Sequence, residues 1–161
     1  MRIAVCPGSF DPVTLGHVDI IQRASRLFDK VIVLVSVNAL KRPSFSVEER
    51  IDMIKAVTPE LSNVVVDSSE GLLADYIREH DAVAIVKGLR AVSDFEYEFQ
   101  MALANKKLYS EAETVFLTTT AENMYLSSSV VKQIASFGGD ISHFVPAGVL
   151  PIIKKRLVKG E

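Results

Sequence analysis

The sequence predicts an α/β fold: one Rossmann-like domain over residues 1–161, with a doubly wound sheet of five parallel strands, helices on both faces and a C-terminal helix. Three observations predict it. Short apolar runs recur without polar alternation, as strands buried on both faces require. Stretches with helical periodicity separate them, and no repeat, low-complexity tract or long linker divides the chain.

In chain order, the strand candidates are Ile3 to Cys6, Val31 to Val37, Val64 to Val66, Ala82 to Val86 and Val115 to Leu117. Val18, Ile21, Ala24 and Phe28 share one face of a first helix, and Ile51, Ile54 and Val57 one face of a second. Leu73 and Ile77 mark a third helix, and Phe95, Phe99 and Ala102 a fourth. Ser46 with Glu49 fits a capping box at the start of the second. Ser127-Ser128-Ser129 opens a later helix that should stop at Gly138-Gly139, and Pro151 to Val158 reads as a basic terminal helix. Ligands of such sheets sit beyond the carboxyl ends of the strands. The loops after Cys6, Val37, Val86 and Leu117 should therefore converge on one site.

Composition narrows the function classes. With 48% hydrophobic residues, the 161-residue chain can bury a core without covalent staples. A net charge of −2 points to neither a nucleic acid nor a membrane surface as partner. Cys6 is the one cysteine, which excludes an intramolecular disulfide and a multi-cysteine metal site; it reads as a buried thiol at a strand end. The apolar start breaks at Pro7-Gly8, too soon for a signal-peptide core, so a cytoplasmic protein is expected.

Three segments suit anions. Pro7-Gly8-Ser9-Phe10-Asp11-Pro12 leads into Thr14-Leu15-Gly16-His17, a glycine-bearing turn that delivers hydroxyls and an imidazole to a helix N-terminus. Lys87-Gly88-Leu89-Arg90 puts two cations at the end of an apolar strand, where burial without an anionic partner would be costly. The Ser127-Ser128-Ser129 run can surround a polyphosphate oxygen with hydroxyls and free amides. Each has a plainer reading as cap, surface charge or loop, and the acids Asp94, Glu96 and Glu98 suit a helix start through its dipole alone. Their convergence on one sheet edge favours a phosphorylated ligand. The chain has neither the G-x-G-x-x-G dinucleotide fingerprint nor a G-x-x-x-x-G-K-[ST] loop.

PGSFDPVTLGH, Lys41 with Pro43 and Phe45, KGLRAVSDFEYE and YLSSSVVK, in this order and spacing, resemble the H-x-G-H nucleotidyltransferases. Within them the chain is similar to the bacterial phosphopantetheine adenylyltransferases, whose first motif histidine is threonine, here Thr14. The resemblance runs from Met1 to about Phe144. It implies adenylyl transfer from ATP to 4′-phosphopantetheine, giving dephospho-coenzyme A and pyrophosphate. It assigns Ser9, Phe10, His17, Gly88, Leu89, Arg90, Glu98 and Asn123, Met124, Tyr125, Leu126, Ser127, Ser128 and Ser129 to ATP, with His17, Arg90 and Lys41 as catalytic groups. Ser9, Lys41, Leu73 and Lys87 are implied for the acceptor, and Asn105 for its pantetheine arm. Some relatives carry threonine for Ser9 and arginine for Lys87. The family also implies a homohexamer and feedback by coenzyme A.

A phosphate monoester, with a second pKa of about 6, is mostly dianionic at neutral pH and needs no general base. Its approach to a triphosphate is an electrostatic problem, so cations and positioning must carry the catalysis. Magnesium is expected to come with ATP, because the carboxylates form no evident cage. The alternatives are a sister enzyme with another acceptor, such as nicotinate mononucleotide or glycerol phosphate, and a silent nucleotide-sensing module.

Overall fold

The computed structural model describes residues 1–158. Strands β1 (Ile3–Gly8), β2 (Lys30–Ser36), β3 (Val64–Ser69), β4 (Ala84–Leu89) and β5 (Glu113–Thr118) form one parallel sheet in the order β3-β2-β1-β4-β5. Helices α1 (Leu15–Leu27), α2 (Val47–Val57), α3 (Leu73–Glu79), α4 (Val92–Leu108), α5 (Ser128–Ser136) and α6 (Leu150–Leu157) accompany it. Among the described residues no helix is long and apolar enough to cross a membrane.

Alternate strand residues serve opposite faces. Ala4, Cys6, Val33, Val35 and Val86 belong to a core with Ile21 of α1, Ile54 of α2, Val131 of α5 and Ile153 of α6. Val5, Ile32, Leu34 and Ile85 face the other way, onto Tyr76 and Ile77 of α3. The expected doubly wound sheet is thus present. β3 is less buried than its apolar sequence suggests. It forms the sheet's edge, and Val65 stays 42% exposed.

Two strands run further than their apolar runs. β1 continues through Pro7 and Gly8, which pair with Leu34 and Val35 of β2. β4 starts at Ala84 and continues to Leu89, because Lys87, Gly88 and Leu89 keep register with Phe116, Leu117 and Thr118 of β5. Lys87 and Gly88 therefore belong to the strand, not to the loop expected after Val86. On their facing sides, by contrast, β1 and β4 pair only at Ala4↔Ala84 and Val5↔Ile85. Pro7 has no amide hydrogen to extend that ladder. The strands part where the chain order reverses, and this is the position at which open α/β sheets receive ligands.

The helix ends follow local chemistry. Ser46 Oγ accepts from Glu49 N at 3.1 Å and Glu49 Oε2 accepts from Ser46 N at 2.8 Å, the anticipated capping box of α2. Ser46→Ala should cost about 1 kcal/mol, read as a lower urea midpoint at unchanged slope. α5 ends at Ser136, and Gly138 turns the chain at φ +76° while Gly139 N donates to Ile134 O at 2.9 Å. α4 departs from the expected pattern. Phe95 and Phe99 stack on each other at 5.5 Å yet remain 43% and 46% exposed, and Val92, Tyr97, Met101 and Leu103 are exposed as well.

Candidate active site

The turn after β1 is shaped by its first residues. Gly8 allows the buried Phe10 ring to lie against the strand end, where an added Cβ would approach that ring to 3.0 Å. Phe10 takes φ +48°, Ser9 is exposed at the turn's outer side, and the Ser9 carbonyl accepts from Arg50 of α2 at 3.0 Å. Thr14 caps α1 by accepting from His17 N at 3.3 Å. His17 completes a capping box, filling the place usually taken by Glu or Gln: its Nδ1 accepts from Thr14 N at 3.0 Å.

That bond fixes the chemistry of the imidazole. A backbone amide can only donate, so Nδ1 holds a lone pair and the proton of neutral His17 resides on Nε2. Burial, and then the charges of Arg90 and Lys87, lower the pKa of His17 from its ordinary 6.5 to about 4. At neutral pH His17 is an uncharged N–H donor at the start of α1, its ring held edge-on against Phe10 at 4.9 Å.

β4 supplies the cations. Strand alternation sends Lys87 to the α3 and α4 face, where Nζ meets Glu98 of α4 at 3.4 Å. Gly88 faces α1: a Cβ there would lie 3.0 Å from Ile20 and 3.9 Å from Thr119 Oγ1. Arg90 follows the strand and is held twice, with Nε 3.3 Å from Asp94 and a terminal nitrogen donating to Leu126 O at 2.8 Å. The two carboxylates sit one turn apart on α4, so one helix start balances both cations.

The serine run is divided in its bonding. Ser127 Oγ accepts from Val130 N at 3.1 Å as the cap of α5, while Ser128 Oγ donates to Pro12 O at 2.8 Å. Ser129 is exposed in the first turn, and before it a 3₁₀ turn at Ala121–Asn123, exposed Met124 and Tyr125, and buried Leu126 link β5 to the helix. Asn123 lies close to α1, since a Cβ on Gly16 would be 3.9 Å from its own Cβ. The turn after β1, Gly88 and the Asn123 to Ser129 stretch, all expected for ATP, thus meet on the α1 and α5 side of the parted strands, whereas Glu98, also expected for ATP, pairs with Lys87 on the α3 and α4 face.

Of the residues implied for the acceptor, Leu73 and Asn105 lie with Lys87 on the α3 and α4 side, while Ser9 stays in the turn after β1 and Lys41 in the loop that leads into α2. Leu73 opens α3, half buried against the second core. Asn105 follows Glu98 by two turns on the same side of α4, about 10 Å along the axis, and so lies away from the β4 edge. Lys41 is exposed in the loop between β2 and α2, in a turn where its amide donates to Asn38 O at 3.1 Å. The structure does not bring Lys41 into contact with Lys87 or His17.

Sequence reasoning missed Asp11, Arg50, Lys132 and the pairing of Asp94 with Arg90. Asp11 is 4% exposed and its carboxylate accepts from Ser44 N and Phe45 N, both at 2.9 Å, and from Lys132 Nζ at 2.6 Å. An acid inside an otherwise apolar turn, SFDPV, was the available signal. Its partners lie far off in the chain and left none. Cys6 is buried as expected, and burial pushes its thiol up to about 12.

Residues 5–134 match the cytidylyltransferase-like family model. The chain is 57% identical to the phosphopantetheine adenylyltransferase of Caldanaerobacter subterraneus subsp. tengcongensis, covering 99% of this chain and 97% of that one. It is 55% identical to that of Clostridium novyi over 99% of both. A bifunctional NMN adenylyltransferase/ADP ribose pyrophosphatase of Francisella tularensis, solved with AMP and manganese, shares the fold alone: TM-score 0.73 and 18% identity over 96% of this chain and 48% of that one. With its anion-suited segments gathered at the strand reversal and relatives this similar along its whole length, the chain belongs to the phosphopantetheine adenylyltransferases, a family of nucleotidyltransferases.

Proposed function

We propose that this site transfers AMP from MgATP to the phosphate of 4′-phosphopantetheine, in the cytoplasm, as a late step of coenzyme A synthesis. The observation that carries the reading is His17, a neutral Nε2–H donor flanked by the charges of Arg90 and Lys87. An acceptor phosphate oxygen attacks the α-phosphorus, the bond to the bridging α–β oxygen breaks, and its electron pair leaves with pyrophosphate. His17 and Arg90 meet the charge that develops on the α- and β-phosphates. Lys87, with Lys41 brought in from its loop, holds the acceptor phosphate.

Lys87 and Gly88 point to opposite faces of β4, so the acceptor arm runs along α3 and α4, past Leu73 towards Asn105, and the nucleotide lies on the α1 side with Ser9, Phe10, Gly88 and the Asn123 to Ser129 stretch. Magnesium enters with ATP. Among the described residues no three His, Cys, Asp or Glu side chains gather into a metal cage, and Asp11, Asp94 and Glu98 are engaged by Lys132, Arg90 and Lys87. Coenzyme A, which joins the same arm to an adenylate, acts as a feedback ligand.

The exposed apolar residues of α4 support assembly of this chain into a homohexamer. Light scattering on the eluted protein should return six times the chain mass, and a monomer overturns that assembly. The reaction is tested by incubating protein, MgATP and phosphopantetheine, following pyrophosphate, and identifying dephospho-coenzyme A by mass spectrometry. Pyrophosphate appearing only with a different phosphorylated acceptor discards the substrate. Lys41→Ala should raise the acceptor KM about tenfold or more and that of ATP much less. Equal effects remove Lys41 from the acceptor pocket.

A further inference from the structure

We infer that Asp11 is a positioning residue that sets the acceptor loop in register with the donor-phosphate helix, acting through Lys132 and the amides of Ser44 and Phe45. The inference rests on the proposed placement of the donor on the α5 side and of Lys41 on the acceptor side.

Asp11 is nearly inaccessible, and a buried carboxylate persists only when its oxygens are satisfied. Here they are satisfied from two distant segments. Oδ1 accepts from Phe45 N, both oxygens lie within reach of Ser44 N, and Oδ2 takes the Lys132 ammonium. Ser44 and Phe45 end the loop that carries Lys41, and Lys132 lies one turn after Ser128 on α5. Ser128 repeats the link by donating to the Pro12 carbonyl, so α5 grips the Asp11-Pro12 segment at two points on one helix face. From α2, Arg50 holds the Ser9 carbonyl and Arg156 of α6 holds the Ser44 carbonyl at 2.7 Å. The turn that bears Ser9 and leads to His17 is thus clasped from both sides, with Asp11 as the one side chain common to both.

This geometry matters because the acceptor-loop lysine and the α5 amides act on two different substrates. In-line attack requires those substrates to be aligned to a fraction of an ångström, and small misplacements remote from the chemistry are costly in rate. Replacing one Asp11 oxygen by an amide turns a donor towards Ser44 N, Phe45 N or Lys132, all of which are donors themselves. The register between loop and helix is lost while most groups that contact ATP stay in place.

The test uses the full chain with MgATP and phosphopantetheine. Wild-type formation of dephospho-coenzyme A decides the underlying reading, and its absence overturns both that reading and this one. Given wild-type turnover, Asp11→Asn should lower kcat about tenfold and raise the phosphopantetheine KM and its calorimetric Kd by a similar factor, with the ATP Kd within about threefold. Lys132→Met should do the same, the double variant should be no worse than the poorer single, and Lys132→Arg should restore both constants. Loss of ATP and acceptor affinity in equal measure overturns the inference. So does a lowered melting temperature with kcat and acceptor KM unchanged, which describes a brace without influence on alignment. If Asp11→Asn does not fold, Lys132→Met decides by the same two readings.

Discussion

His17→Ala should lower kcat by about 10³-fold while leaving the ATP Kd within a few-fold. The reason is the tautomer. Thr14 N donates to Nδ1, so Nε2–H is directed by the capping box of α1 and not by substrate. Such a preset donor costs no reorganisation and gains strength only as charge builds on the phosphates, so removing it costs on the order of 10²- to 10³-fold in rate. Binding lost in proportion to rate would remove His17 from the transition state. The same geometry predicts the pH profile. Because the His17 pKa is lowered to about 4, the imidazole stays neutral throughout the working range, and the acid limb of kcat/KM should follow the acceptor phosphate near about 6. Nitrogen NMR of His17 should show one neutral Nε2–H tautomer down to pH 5, and titration at its ordinary 6.5 would refute it. Stability carries the linked sign. Between 6.5 and about 4 the unfolded chain binds a proton that the folded chain refuses, so stability falls as pH falls through that window and the penalty is constant below it. His17→Gln should lose less stability across the same interval.

The sequence made the sheet legible because strands buried on both faces leave an unambiguous apolar record, and the capping signals Ser46 with Glu49 and Gly138 acted locally. Their physics is contained in a few neighbouring residues. The end of β4 was misread for the opposite reason: Lys87 and Gly88 break the apolar run, and only pairing with Phe116 and Leu117 keeps them extended. That extension matters to the site, since strand alternation then separates Lys87 from Gly88 onto two faces. β3 and α4 were judged by their own residues, although exposure of Val65 depends on strand order and exposure of Phe95 and Phe99 on what covers the helix. Motif residues such as His17 and Arg90 could be nominated through the family resemblance, but the groups that orient them could not. The amide on Nδ1 shows itself only when the turn is built, and Asp11 meets Lys132 across most of the chain.

Arg90 carries the second large effect, and the discriminating variant is Arg90→Lys. The guanidinium is fixed by Asp94 on Nε and by the Leu126 carbonyl on a terminal nitrogen, which leaves further N–H groups for a phosphate. Leu126 directly precedes the serine cap of α5, so Arg90 also ties β4 to the helix start proposed above to meet the triphosphate. An ammonium keeps the charge but cannot satisfy both anchors and a phosphate in one plane. Arg90→Lys should therefore lose about 10²-fold in kcat, and Arg90→Ala about 10³-fold, with the ATP KM raised roughly tenfold in both and the acceptor KM within about threefold. Bisubstrate kinetics on the three proteins separates the contributions. If Arg90→Lys retains wild-type kcat, charge alone suffices there and the double anchoring serves only the fold. If it behaves as Arg90→Ala does, the orientation imposed by Asp94 and Leu126 is what the reaction uses, and Asp94→Asn should then reproduce part of the loss in kcat.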